Sequence, residues 1–180
     1  MPELVEPDVR FHRSFLRAMA AFVAEGRGGP DDLSNIGRDL RTWAPDWEER
    51  EVFAAYAASV RAEALEETPR APAFVPSTTL WWGDGEEYLG RIQLRQRLTE
   101  GLLETGGHIG YDVAPDHRRR GHATAMLRAM LPRVRREYSL DTVLITCDTD
   151  NVASRKVIEA CGGVFEDTRH DKLRYWVPTG

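Results

Sequence analysis

Cysteine is scarce in this 180-residue chain, which has only Cys147 and Cys161. They form no C-x-x-C pair, and the five histidines complete no zinc-ligand spacing, so the pattern points to neither a disulfide scaffold nor a metal site. Both cysteines read as reduced, partly buried residues of a cytoplasmic protein. Apolar runs long enough to span a bilayer are missing. The opening residues, Met1 to Glu6, lack the basic and apolar regions of a signal peptide. Positive charge is not in excess: 24 Lys and Arg against 29 Asp and Glu leave a net charge of -5. That balance weighs against nucleic acid or an anionic membrane as the main partner and suits a cationic one. Internal repeats and low-complexity segments are absent. With 42% hydrophobic and 29% charged residues, the chain has the composition of one globular domain able to bury a core.

Two textures divide that domain. Residues 1–77 read as mostly helical after a short strand at Leu4-Val5. Phe11, Phe15, Met19 and Phe22 recur at helical spacing until Gly26 and Gly28-Gly29 end the run. A short helix is expected over Asp31–Trp43, and a longer one opening at Pro45-Asp46 with Phe53, Tyr56, Val60 and Ala64 on one stripe. Three prolines between Thr68 and Ser77 make a loop. Residues 78–180 alternate. Thr78–Trp82 and Tyr88–Leu94 form a hairpin about a Gly83-Asp84-Gly85 turn, and Leu98–Gly107 reads as irregular. His108–Val113 is a strand and Gly121–Tyr138 a helix, with Ala125, Leu127, Met130, Leu131 and Val134 apolar and Pro132 expected to kink it. Asp141–Cys147, Ala153–Cys161, Val164–Glu166 and Arg174–Val177 supply a strand, a helix and two closing strands. This order implies an α/β (α+β) architecture: a mixed, mostly antiparallel sheet around a central βαβ unit whose two strands run parallel.

The chemistry concentrates where the His108–Val113 strand runs through Ala114-Pro115-Asp116-His117-Arg118-Arg119-Arg120 into the helix at Gly121-His122-Ala123-Thr124. Free N–H groups and the helix dipole make a helix start an anion site. Gly121 lets backbone approach a phosphate closely, Ala123 keeps the next obstruction small, and the three arginines add forked donors. Neither GxxxxGK[ST] nor GxGxxG is present.

Arg118-Arg119-Arg120-Gly121-His122-Ala123 resembles the Q/R-x-x-G-x-G/A pyrophosphate signature of the GNAT family of N-acetyltransferases. Asn151-Val152-Ala153-Ser154, leading a helix that ends at Cys161-Gly162-Gly163, resembles the family's second motif at the family's spacing. The resemblance runs from about Trp81 to Val177, making 78–180 the cofactor-binding core of a single GNAT domain and 1–77 its variable substrate side. It implies an acetyl-CoA-dependent N-acetyltransferase that passes acetyl directly to a primary amine of a small molecule or peptide, with no metal. Base rates alone make a homodimer the default. The backbone N–H of Val113 would serve the thioester carbonyl. The amides of Arg118, Arg119, Arg120, Gly121, His122, Ala123 and Thr124 would hold the pyrophosphate. Asn151, with Ser154 nearby, would bond the amide arm; Asn151 is equally a residue that turns the chain into the helix.

An amine must lose a proton before it attacks. Relatives place a carboxylate early in the equivalent strand; here that place falls at Gly107-His108, which nominates His108 as base, with a structural histidine as the other reading. Glu86, Glu87, Asp112 and Asp148 are further candidates. Where many relatives carry a tyrosine that protonates the departing thiolate, this chain has Ile158, leaving Tyr111, water or unassisted departure. Cys161 reads as a helix-end residue rather than a nucleophile. Trp43, Trp47, Trp81 and Trp82 belong either to the core or to an acceptor pocket. Two other readings stand beside transfer: a non-catalytic acetyl-CoA-binding module, and a nucleic-acid-associated factor, which the acidic balance and the lack of aromatics among the arginines disfavour.

Overall fold

Leu80-Trp81-Trp82 carries three large apolar side chains in succession, so this strand must be covered on both faces. The computed structural model, which describes residues 1–180, shows how. Leu80 and Trp82 pack into one core and Trp81 into another. The strand β2 (Ser77–Asp84) pairs with β1 (Glu3–Val5) on one side and with β3 (Glu87–Arg95) on the other. The sheet continues through β4 (Ile109–Val113), β5 (Thr142–Asp148), β7 (Lys172–Pro178) and β6 (Val164–Arg169), in the order β1-β2-β3-β4-β5-β7-β6. Every pairing is antiparallel except β4 with β5, which are parallel, as a βαβ unit requires.

One sheet face is covered by α4 (His122–Tyr138) and α5 (Val152–Ala160), whose Met126, Leu127, Met130, Val134 and Ile158 are buried against Ile92, Ile109, Val143 and Ile145. The other carries α1 (His12–Ala24), α2 (Asn35–Trp43) and α3 (Arg50–Ala62) over an aromatic core. Phe15 is its hub, with ring centroids 5.0–5.4 Å from those of Trp47, Phe53, Tyr56, Trp81 and Tyr88. Trp47, Trp81 and Trp82 are thereby core residues, and Trp43 lines a cavity beneath these helices.

Several boundaries differ from expectation, each for a local reason. The helix expected from Asp31 begins at Asn35, because the Asp32 carboxylate collects the N–H groups of Gly28 and Ser34 and folds the preceding residues into a turn. Ser34 Oγ then caps the helix, accepting from Gly37 N–H at 3.1 Å. Asp46–Glu48 is a separate 3-10 turn ahead of α3. The hairpin turn is not Gly83-Asp84-Gly85: β2 runs on to Asp84, and Gly85-Glu86 make the turn. Gly83 lies inside the strand, at an irregularity after Trp82, and is glycine because a Cβ there would come within 2.5 Å of the Phe11 ring. Leu98–Gly107 is not wholly irregular, since Leu102–Gly106 forms a π-helical turn. In α4 the buried stripe takes Met126, while Ala125 faces solvent. The helix is continuous through Pro132. The strand expected over Val164–Glu166 extends to Arg169. Both cysteines are free thiols, and no helix is long and apolar enough to cross a membrane.

Candidate active site

β4 is fully paired on one side and almost unpaired on the other. Along β3 its register runs from Leu94 opposite Ile109 to Gly90 opposite Val113. Along β5 the sole recorded pair is Ile109 with Ile145. Beyond that point the two parallel strands part. Ala114 N–H donates to the Leu89 carbonyl across β3 at 2.9 Å. Strand alternation therefore turns the N–H groups of Tyr111 and Val113 the other way, into the opening.

The segment after β4 delivers the chain to α4. Pro115–His117 make one 3-10 turn, Arg118 is extended, and Arg119 and Gly121 take left-handed backbone with φ of 62° and 82°. Such successive turns present N–H groups to one concavity. Gly121 stands at the helix N-terminus with no side-chain cap, and the first helical bond is Ala125 N–H to the Gly121 carbonyl at 3.0 Å. The N–H groups of His122, Ala123 and Thr124 therefore have no intrahelical acceptor.

These features share one cleft of about 930 Å³. Val113, Arg118, Arg119, Gly121, His122, Ala123 and Thr124 line one side of it, and Asn151 and Ser154 the other. Arg120 does not line it. Asn151 caps α5, its side-chain oxygen accepting from Ser154 N–H at 3.0 Å, so the turn reading of this residue holds, and its amide N–H groups stay available to the cleft. Tyr111 crosses the opening: its hydroxyl accepts from Ser154 Oγ at 3.1 Å and donates to the Ser154 carbonyl at 3.4 Å. Burial raises the affinity of this phenol for its proton, so it is neutral at any physiological pH. Ile158 is fully buried beneath α5 in the core.

Two residues of the N-terminal half contribute that the sequence did not reveal. Glu25, just past α1, holds Arg118 through a forked ion pair. Arg27 lines the cleft, donates to Asp32 at 3.0 Å and lies 3.5 Å from Asp112. A cation in the Gly26-Arg27-Gly28-Gly29 stretch was the one signal that could have marked it. His122 accepts from Trp82 Nε1 at 3.2 Å, and its pKa is lowered by burial and by His117 and Arg120.

His108 lies apart from the cleft, buried to 5% exposure. Its Nδ1 accepts from Leu144 N–H at 2.9 Å. A neutral ring bonded in this way carries its proton on Nε2, so neither nitrogen offers a lone pair. Burial, with the Arg95 guanidinium adding to it, pushes its pKa down to about 4. The expectation of a basic His108 is corrected on these grounds: the ring ties the start of β4 to β5. Of the four carboxylates, Glu87 bonds Arg17 and His117, Asp148 bonds Lys172, and Glu86 sits exposed in the hairpin turn. Asp112 alone lines the cleft. Cys161 is outside it, and burial raises its thiol pKa, the opposite of an activated nucleophile.

A second cavity, of about 490 Å³, opens under the N-terminal helices between α2, α3, the Thr68–Val75 loop and β3. Its floor holds Gln93 and Arg95. Gln93 is the cross-strand partner of Gly110, and a Cβ on Gly110 would sit 3.9 Å from the Arg95 guanidinium. Arg95 thus lies over β4 one residue beyond the last β4–β5 pair.

Comparison with known proteins matches residues 31–164 to the family described as Acetyltransferase (GNAT) domain. No curated protein matches the chain. Among solved structures, Mycobacterium smegmatis RimJ in complex with CoA-disulfide has a TM-score of 0.67 at 19% identity, covering 98% of this chain and 81% of its own. The microcin C7 self-immunity acetyltransferase MccE, in complex with acetyl-CoA and AMP, has a TM-score of 0.65 at 11% identity, covering 98% and 92%. The ribosomal L7/L12 alpha-N-protein acetyltransferase RimL follows at 0.61 and 14%, covering 98% and 90%. At these identities the structural likeness concerns the fold.

Proposed function

The chain belongs to the GNAT acetyltransferase family, and we propose that it uses acetyl-CoA to acetylate a primary amine of a small molecule or peptide by direct transfer. One observation carries this reading. Two parallel strands pair at a single position, part, and open onto the uncapped N-terminus of α4 in one cleft. The residues fit the donor: an extended arm can lie in the strand opening against free backbone, and a pyrophosphate can sit on the amides from Arg119 to Thr124. Acetyl-CoA supplies an activated acyl group with a thiolate leaving group. The structural neighbours solved with acetyl-CoA or a CoA-disulfide support acetyl-CoA as the donor.

The chain's own groups then divide the work. The N–H groups of Val113 and Tyr111, both turned into the opening, would donate to the arm and to the thioester oxygen as negative charge develops there. Asn151, with its oxygen held by Ser154 N–H, offers its amide N–H groups to the arm. Tyr111, whose hydroxyl stands at the opening beside Ser154, is the group placed to serve the departing sulfur as acid, the task Ile158 cannot perform. Asp112, on the cleft wall, receives the proton of the incoming amine. The amine enters from the second cavity, whose floor meets β4 at Gly110. The test is release of free CoA thiol, which requires acetyl-CoA and an accepted amine together. A binding module without catalysis would bind acetyl-CoA and release none with any amine.

A further inference from the structure

The second cavity is rich in charge, and almost all of it is internally neutralised. Arg91 and Asp39 form a buried pair at 2.6 Å, and the Tyr56 hydroxyl donates to the same carboxylate at 2.9 Å. Arg38 bonds Glu63 at 3.1 Å and lies 3.6 Å from Asp39. Arg70, at the rim, is spent on backbone carbonyls. Arg95 is different. Its Nη1 donates to the carbonyls of Gly106 and Gly107 at 3.1 and 3.2 Å, its Nε and Nη2 have no partner, and no carboxylate stands within ion-pair distance.

A half-buried guanidinium without a counter-ion is costly, because desolvation is not repaid by an opposite charge. The fold nevertheless keeps one on the cavity floor. It is fixed at one edge by two backbone carbonyls, with its other donors free. It also lies beside Gly110, the neighbour on β4 of Tyr111, whose N–H is turned into the donor opening. The absence of a side chain at Gly110 leaves the space over β4 open to an acceptor amine.

Resting on the acetyltransferase reading, we infer that the acceptor is an amine that also bears a carboxylate, and that Arg95 binds that carboxylate while the amine is held over Gly110. A fork of two free N–H donors matches the two oxygens of a carboxylate. The group makes no contact with the reacting atoms in this arrangement and serves as a specificity residue.

The experiment compares matched amines that differ in the anion alone, on protein saturated with CoA: β-alanine against propylamine, 4-aminobutyrate against butylamine, and phosphoethanolamine as the phosphate counterpart. Binding is read by calorimetry, and acetylation by thiol release with acetyl-CoA. The carboxylated member of each pair is expected to bind about tenfold or more tightly than its neutral twin. Arg95→Gln, which keeps a donor for the Gly106 and Gly107 carbonyls, is expected to bring that ratio close to one. Arg95→Lys keeps the charge without the fork and should retain part of it. Neutral twins binding as well as the carboxylates in the wild-type protein would overturn the inference, as would a ratio unchanged in Arg95→Gln or a preference for the phosphate over every carboxylate. Failure of the acetyltransferase reading shows separately, as no binding of acetyl-CoA in the absence of any amine.

Discussion

Arg118 is clamped by Glu25: its two terminal nitrogens reach the two carboxylate oxygens at 2.7 and 2.9 Å, and its Nε donates to the Val113 carbonyl at 3.2 Å. The first arginine of the Arg118-Arg119-Arg120 run is therefore a strut between the end of α1 and the loop, and Arg120 lies off the cleft. Arg119 is the member of the run whose side chain is free to meet a phosphate. The pair is about 40% exposed on both sides, so its own contribution is small, of order ~1 kcal/mol or less. Glu25→Ala and Arg118→Ala should each weaken acetyl-CoA binding by a few-fold at most, and the double variant no more than either alone. Arg119→Ala should weaken it further and flatten the salt dependence. Calorimetry at two ionic strengths distinguishes these outcomes, and additive losses from the first two variants would contradict the strut.

Proton traffic is assigned to Tyr111 and Asp112. Tyr111→Phe removes the hydroxyl and nothing else, and should lower kcat by about ten- to a hundredfold while leaving acetyl-CoA affinity within a few-fold. Asp112→Asn should lower kcat similarly, with acetyl-CoA affinity again within a few-fold. If kcat in either variant matches wild type, that residue has no part in moving the proton.

His108 makes a prediction about stability rather than rate. Its folded pKa of about 4 lies below the ordinary histidine value. Between about 6.5 and 4 the unfolded chain therefore takes up a proton that the folded chain refuses. Stability is full above about pH 6.5 and falls as the pH drops through that window. His108→Asn, which keeps an acceptor for Leu144 N–H, should flatten part of this slope and leave the pH–rate profile unchanged in shape. His108→Ala leaves that buried N–H without an acceptor and should cost about 1–3 kcal/mol. Denaturant unfolding at pH 7 and pH 5 measures both.

The sequence made the second half of the fold legible because its periodicities are strong and punctuated. Val143-Leu144-Ile145 reads as a doubly covered strand, and Arg118–Ala123 lies between a strand and a helix. The loop's geometry was readable because it belongs to the backbone, rather than to side chains, and follows from Gly121 and its neighbours. Side-chain roles were less accessible. Nothing local to Arg118 announces Glu25, which is 93 residues away. His108 looks like a base until Leu144, on another strand, is seen to occupy its lone pair. The hairpin turn was misplaced because Gly83 serves a ring from another element, Phe11, and not a reversal of the chain. The second cavity was invisible because four distant segments build it.

The central claim is that the uncapped start of α4 is an acetyl-CoA site, and a calorimetric titration with acetyl-CoA tests it most directly. Gly121→Glu places an anion where the cleft presents free N–H groups, at a position where a new Cβ meets no neighbour. Gly121→Asn is the uncharged control, since asparagine tolerates the left-handed backbone found there. The account predicts one site per chain in the wild-type protein, affinity lower by about tenfold or more in Gly121→Glu, and a much smaller loss in Gly121→Asn. Wild-type affinity in Gly121→Glu, or no binding by a folded wild-type protein, would contradict it.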